Sequence, residues 1–186
     1  HPSGPVSAKA ARTHQRRLRI RRAAHRAART LEVPFMCFAA SVGIAAIGGI
    51  GTLHLPGFDP VFLVGSLGAS AVLVFAAPES PMSRARNVIG GQFLSALIGV
   101  TCFKLLGDAP HVAGGVAVGL AIFAMHHTRS LHAPGGATAL IANIGSEKVK
   151  ALGYGYAFAP VLTGVAVLML VAFVAKKLRA SLAVEQ

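Results

Sequence analysis

Apolar and polar positions fall in blocks along this chain, and the blocks have the lengths of membrane crossings. Residues 33–53 run for 21 positions without a charge, enough to span a hydrocarbon core that needs about 20 helical residues. The turn HLPGFDP (54–60) follows, and then 17 apolar residues at 61–77. A proline-bounded polar turn, PESPMSRARN (78–87), leads into an apolar run at 88–103. That run ends at Lys104, a cation able to snorkel from a helix end. After GDAPH (107–111), the run at 112–125 has 14 residues. The last run, 154–175, has 22, with Pro160 inside it and KKLR (176–179) behind it. The blocks predict an all-α, polytopic transmembrane helical bundle.

One stretch breaks the rhythm. HHTRSLHAPGGATALIANIGS (126–146) sets three histidines, an arginine and a Pro-Gly-Gly turn against a short apolar run. As helix, residues 133–146 would cover about 21 Å, short of the roughly 30 Å of a hydrocarbon core. A discontinuous segment resolves the mismatch: extended SLHAPGG enters the protein, and a half-helix starts near Gly136. Non-helical backbone at membrane depth is tolerated only where protein buries it or it lines a cavity. The expectation is therefore a pore or binding site.

Composition supports the membrane reading: 54% of the 186 residues are hydrophobic, 13% are charged, and mean hydropathy is +0.62. Twenty-one glycines suit closely packed transmembrane helices. With no tryptophan, the interfacial anchors expected are basic residues and the two tyrosines, Tyr154 and Tyr156. Cys37 and Cys102 lie in apolar runs and read as small packing residues, not a disulfide.

The net charge of +12 is unevenly placed, with nine of the 18 Lys and Arg in the first 32 residues. No aromatic precedes Phe35, which argues against nucleic acid as a partner. Residues 1–32 read as a basic cytoplasmic arm held at anionic lipid headgroups. The alternative is an organelle transit peptide, likewise Arg-rich and acid-poor. The transmembrane domain is expected at 33–178 and a short tail at 179–186.

GASAVL (68–73) and GATALI (136–141) match at 68-residue spacing, each between two longer apolar runs. Two copies of span, short Gly-rich segment, span would give two inverted three-segment repeats, because each unit crosses three times. Six crossings with the amino terminus inside place fifteen of the 18 Lys and Arg inside and only Lys148 and Lys150 outside. That satisfies the positive-inside rule. Both termini are then cytoplasmic, and a homo-oligomer is expected because six short crossings make a thin bundle.

Two half-helix starts supply the candidate chemistry. Gly135, Gly136, Ala137 and Thr138 follow Pro134, and Gly65, Ser66, Gly68 and Ser70 offer a matching terminus. Free N–H groups and positive dipole ends at both would suit a small inorganic anion. Hydroxyls of Ser66, Ser70 and Thr138 add contacts, and His132 either donates to the anion or carries a coupled proton. Arg84, Arg86 and Arg129 orient the topology or, folded inward, line an electropositive vestibule. Each of these has a plainer reading as helix packing or a satisfied buried histidine. His126, His127 and His132 lack a carboxylate or cysteine nearby in sequence, so no metal site and no cofactor are expected. No Ser/His/acid set or phosphate loop argues for an enzyme.

The segments GSLGASAVLVFAAPESPMSRARNVIGGQFLSALIGV (65–100) and TRSLHAPGGATALI (128–141), with the terminal span, resemble the HPP family of integral membrane proteins over about residues 33–178. The most specific parts are SPMSRARNVIGG, with Pro81, Arg86, Asn87 and Gly90, and the run from His132 through Ala139. The His-Pro-Pro that names the family reads His132-Ala133-Pro134 here. The resemblance implies a small bacterial or plastid membrane protein whose relatives are associated with nitrite transport, and it brings Asn87 into the candidate site. Transport of a small monovalent anion, nitrite first, is the leading expectation, in a bacterial inner membrane or, with a transit peptide, an organelle membrane. A non-transporting scaffold with a lipid- or partner-binding basic arm is the alternative.

Overall fold

The computed structural model describes residues 32–50 and 60–184, and the side chains within 32–50 and 65–181. The basic arm, the 54–59 part of the first turn and the end of the tail lie outside the described residues. The chain divides into two compact units, His1–Phe38 and Ala39–Gln186, and residues 60–184 belong wholly to the second.

All regular structure among the described residues is helical. Helix α1 covers Glu32–Ile50. Helix α2, Pro60–Ala71, runs into a π-helical segment at Val72–Ala76, and a 3₁₀ turn follows at Pro81–Ser83. Then come α3 (Ala85–Leu106), α4 (Pro110–His127), α5 (Pro134–Ile144) and the short α6 (Glu147–Ala151). A second π segment, Ala157–Leu162, leads into α7, Thr163–Val184. It contains Pro160, which has no N–H to donate to a regular helical ladder.

Among the described residues three helical stretches are long and apolar enough to cross a membrane: Glu32–Ile50, Ala85–Leu106 and Ala157–Ser181. Helix α4 has 18 residues, four more than the apolar run, because its ends take in Pro110 and His111 before it and His126 and His127 after it. Helix α5 has only 11 residues, about 16 Å of rise. Helix α7 runs through KKLR instead of stopping before it. Among the described residues each predicted helical run is present, with ends displaced by a few residues.

Helices α3, α4 and α5 pack on one another through small residues. Ala113, Ala117, Ala121 and Met125 recur every fourth position of α4 and are buried. Cys102, Ala117, Ala121, Met125 and Ala139 form a common apolar cluster with Ile98 and Leu131 against it. Gly99 lets α3 approach α5 closely: a Cβ there would lie 2.6 Å from the Ala139 carbonyl oxygen. The outward face of α4 carries Val112, Val116, Leu120 and Phe123, and that of α7 carries Leu170, Phe173 and Val174, all exposed. A helix in water would set polar residues there; an apolar outer face matches hydrocarbon.

One expected anchor is misplaced. Tyr154 is exposed, with Lys104 Nζ 5.3 Å from its ring centroid. Tyr156 is buried instead, and its hydroxyl donates to the Thr138 carbonyl at 3.1 Å. That bond satisfies its polar end inside the bundle, so it is no interfacial residue.

Candidate functional site

The apolar bundle encloses a group of polar side chains. Ser66 and Ser70 lie one turn apart on α2 and share a buried face, Gln92 projects from α3, and Thr138 from α5. His132, in the connection between α4 and α5, is wholly buried with them.

The hydrogen bonds form one connected network. Gln92 Nε2 donates to Ser70 Oγ at 2.9 Å and to Ser66 Oγ at 3.3 Å. Its Oε1 accepts from the Thr138 hydroxyl, and Ser66 and Thr138 bond directly to each other. Ser66 Oγ also lies 3.4 Å from the Pro134 carbonyl, which ties the start of α5 to α2. Ser70 Oγ is 2.8 Å from His132 Nε2, and His132 Nδ1 is 2.9 Å from the Met82 carbonyl oxygen. A carbonyl only accepts, so Nδ1 carries a proton and donates to Met82. On the neutral ring Nε2 is then an acceptor, and Ser70 donates to it.

Local sequence explains how the backbone delivers these groups. Helix α4 ends in a Schellman arrangement: Ser130 N–H donates to the Met125 carbonyl at 2.9 Å and Arg129 N–H to the His126 carbonyl at 3.2 Å. Arg129 sits at φ 53°, in the left-handed position that usually takes glycine. The connection then drops inward to His132. Gly91 makes room for it, since a Cβ there would lie 2.6 Å from His132 Cβ and 2.8 Å from the Ser130 carbonyl oxygen. From outside, Arg86 donates to the Thr128 carbonyl at 2.8 Å and Asn87 Nδ2 to the Leu131 carbonyl at 2.8 Å.

The expected site residues therefore separate into groups. Ser66, Ser70, His132 and Thr138 converge. Gly135 is buried as a packing glycine, its absent Cβ 2.6 Å from Ser95 Oγ and 3.0 Å from the Gly91 carbonyl oxygen. Gly65 and Ala137 are exposed, and Gly68 and Gly136 are half-buried. The Gly135 and Gly136 amides donate to the His132 and Ala133 carbonyls at 2.9 and 3.1 Å. Ala133 is already helical at φ −52°, ψ −40°, so the entering turn uses N–H groups expected to be free. Asn87 positions the connection, and Arg84, Arg86 and Arg129 are exposed. His126 and His127 are exposed at the end of α4, away from the enclosed His132. Among the described residues no three His, Cys, Asp or Glu gather as a metal site.

Gln92 is the residue that sequence reasoning missed. It lies within the apolar run 88–103, although an amide inside a membrane helix is itself a signal. Asn143 is a second missed amide. Wholly buried on α5, it donates to the Gly99 and Ala139 carbonyls at 3.1 and 2.9 Å. Its Oδ1 has no partner.

Comparison with known proteins agrees with the helical architecture. The family profile described as HPP, transmembrane region, matches residues 25–183. Two transmembrane proteins of Dictyostelium discoideum are similar to the chain. One is 42% identical over 119 residues, which is 62% of this chain and 38% of the relative. The other is 44% identical over 115 residues, 60% of this chain and 40% of the relative. The chain thus spans about two fifths of the length of these curated relatives, whose descriptions say only that they are transmembrane proteins. No solved structure matches it.

Proposed function

We propose that this chain, which belongs to the HPP family of membrane proteins, moves a small monovalent anion, nitrite first, past the Ser66–Ser70–Gln92–His132–Thr138 network. The observation that carries the reading is that five polar side chains from α2, α3, α5 and the α4–α5 connection meet inside an apolar bundle, with no carboxylate among them. Buried polar groups in a membrane protein are costly and mark substrate paths. Hydroxyl and amide donors without a fixed negative charge favour an anion over a cation.

Two further features support this reading. The proposed repeat relates Ser66 to Pro134 and Ser70 to Thr138 at 68-residue spacing, and the two segments meet through Ser66, Pro134 and Thr138. Inverted repeats meeting at a central site is the transporter arrangement. Arg84, Arg86 and Arg129, exposed near the start of α3 and the end of α4, would give the inner mouth a positive potential that concentrates anions. In this reading both termini are cytoplasmic and the chain works as a homo-oligomer.

Ser70 donating to a histidine whose other nitrogen is fixed also has the look of a nucleophile and its base. Ser70 Oγ is enclosed, however, and bonded by Gln92 as well. We therefore read the chain as a carrier or channel and expect no labelling of Ser70 by a fluorophosphonate.

Nitrite uptake into proteoliposomes tests the proposal. Wild-type protein is expected to exceed protein-free vesicles, and Gln92→Leu to fall at least about tenfold, the effect of some 1.4 kcal/mol, while still eluting as folded protein. Equal uptake by wild-type and empty vesicles would sink the proposal.

A further inference from the structure

We infer that the network takes its anion together with one proton, held on His132, so that transport is electroneutral. The inference rests on the anion reading above and specifies what the anion brings with it.

The geometry leaves little alternative. In the neutral state every donor of the cluster already has an acceptor: Thr138 on Gln92 Oε1, Gln92 Nε2 on Ser70 and Ser66, Ser66 on the Pro134 carbonyl, Ser70 on His132 Nε2, and His132 Nδ1 on the Met82 carbonyl. The neutral ring offers an anion no N–H, because its one proton faces Met82 and its Nε2 lone pair holds the Ser70 hydroxyl. Among the described residues the buried side chains with polar groups are serines, Gln92, Thr138, Asn143, His132 and Tyr156, and none is permanently charged. An unpaired anion in such an interior is heavily penalised. His132 is the single side chain of the cluster able to become a cation.

Protonation changes both the charge and the direction of the bonds. A proton adds to the Nε2 lone pair, and Nε2–H then donates to Ser70 Oγ across the same 2.8 Å. The Ser70 O–H, displaced from the ring, can leave its other acceptor, the Ser66 carbonyl oxygen at 3.3 Å, for the stronger acceptor that an incoming anion offers. Nδ1–H continues to donate to Met82. One proton thus supplies one cation and frees one hydroxyl donor, and imidazolium plus anion is neutral.

The groups next to His132 from each neighbouring element are uncharged: Ser70 on α2 and the Met82 carbonyl on the 3₁₀ turn bond its ring, and Gly91 on α3 packs on its Cβ, with Gln92 reaching it through Ser70. Tyr156 reaches the cluster only through its bond to the Thr138 carbonyl. Glu79, Arg84, Arg86 and Arg129 on the flanking segments are exposed.

The test loads proteoliposomes with a trapped pH dye, clamps the membrane potential, and adds nitrite outside, subtracting protein-free vesicles to remove permeation of nitrous acid. A repeat with nitrate, whose acid is too strong to exist neutral, guards that subtraction. The expected result is internal acidification with uptake, flux rising by up to about tenfold per unit of external acidification for a one-proton event, and no response to potential. His132→Gln is expected to lose the pH response and to follow the potential. If that variant does not fold, the wild-type measurement decides alone. Flux above baseline that follows the potential without acidification overturns this inference and leaves anion transport standing. No flux of either anion overturns the transport reading and this inference with it.

Discussion

At Gly91 an added Cβ would lie 2.6 Å from His132 Cβ and 3.1 Å from Met125 Sδ, whereas at Gly68 it would meet nothing within 4 Å. Both glycines lie in helices, so both would gain helix propensity on substitution, about 1 kcal/mol for Gly to Ala. At Gly91 overpacking of roughly 1–3 kcal/mol outweighs that gain, and the backbone carbonyl of Ser130, 2.8 Å away, has little room to retreat. Gly91→Ala is therefore expected to lower the midpoint of thermal unfolding in detergent, and Gly68→Ala to leave it equal or higher. Equal losses in both would mean that His132 is not held against α3. Arg129 poses the opposite case. At φ 53° its backbone carries a strain of about 1 kcal/mol that glycine would relieve. Arg129→Gly is expected to stabilise the protein and, if the proposed transport holds, to slow anion entry at low ionic strength, because an exposed guanidinium is gone. A stabilised variant with unchanged uptake would remove Arg129 from the vestibule and leave the strain argument intact.

The start of α3 works as a clamp on the connection between α4 and α5. Arg86 and Asn87, adjacent in sequence, hold the Thr128 and Leu131 carbonyls at 2.8 Å each, and His132 follows directly. The Arg86 bond is exposed and contributes little; the half-buried Asn87 bond is worth about 0.5–1.5 kcal/mol. Asn87→Ala should speed amide exchange in residues 128–132 while α3 beyond its first turn stays protected. Unchanged exchange there would show that Gly91 packing alone holds the connection. At this scale the sequence is readable where polarity is periodic or abrupt. Apolar runs locate every long helix, and Pro134 with its glycines locates the short α5, because proline at a helix start and a small-residue face leave a mark in the letters. The network is half legible. Ser66, Ser70, His132 and Thr138 stand out beside breaks in the pattern. Gln92 and Tyr156 do not, because their partners are 46 and 18 residues away and no local spacing encodes such a contact. The same limit hides the clamp: Asn87 enters through a motif, but its contact with Leu131 is a property of the packed bundle.

Across the whole molecule, function turns on which side of the membrane each turn faces. Among the described residues three stretches are long and apolar enough to cross by themselves, and the 11 residues of α5 are not. Charge favours a full crossing by the α4–α5 connection and α5 together. Lys148 and Lys150, with Lys104 at the end of α3 beside Tyr154, would then stand on the outer side, and Arg84, Arg86, Arg129, Lys176, Lys177 and Arg179 on the inner side, still the larger share. If α5 instead re-entered and left by the same face, α7 would carry its basic end outward, against the same rule. The packing of the connection makes the full crossing physically tolerable. Within the non-helical segment before α5, Ser130 and His132 are buried against α3, which keeps that part of the backbone from lipid. Single cysteines in a Cys37→Ser, Cys102→Ala background decide between the two arrangements. An impermeant maleimide is expected to label His127→Cys and Lys177→Cys from one face and Lys148→Cys from the other. Labelling of His127→Cys and Lys148→Cys from the same face would make α5 a re-entrant helix. The proposed pairing of inverted units would then fail, and the polar network would be reached from one side only, as a binding site and not a path.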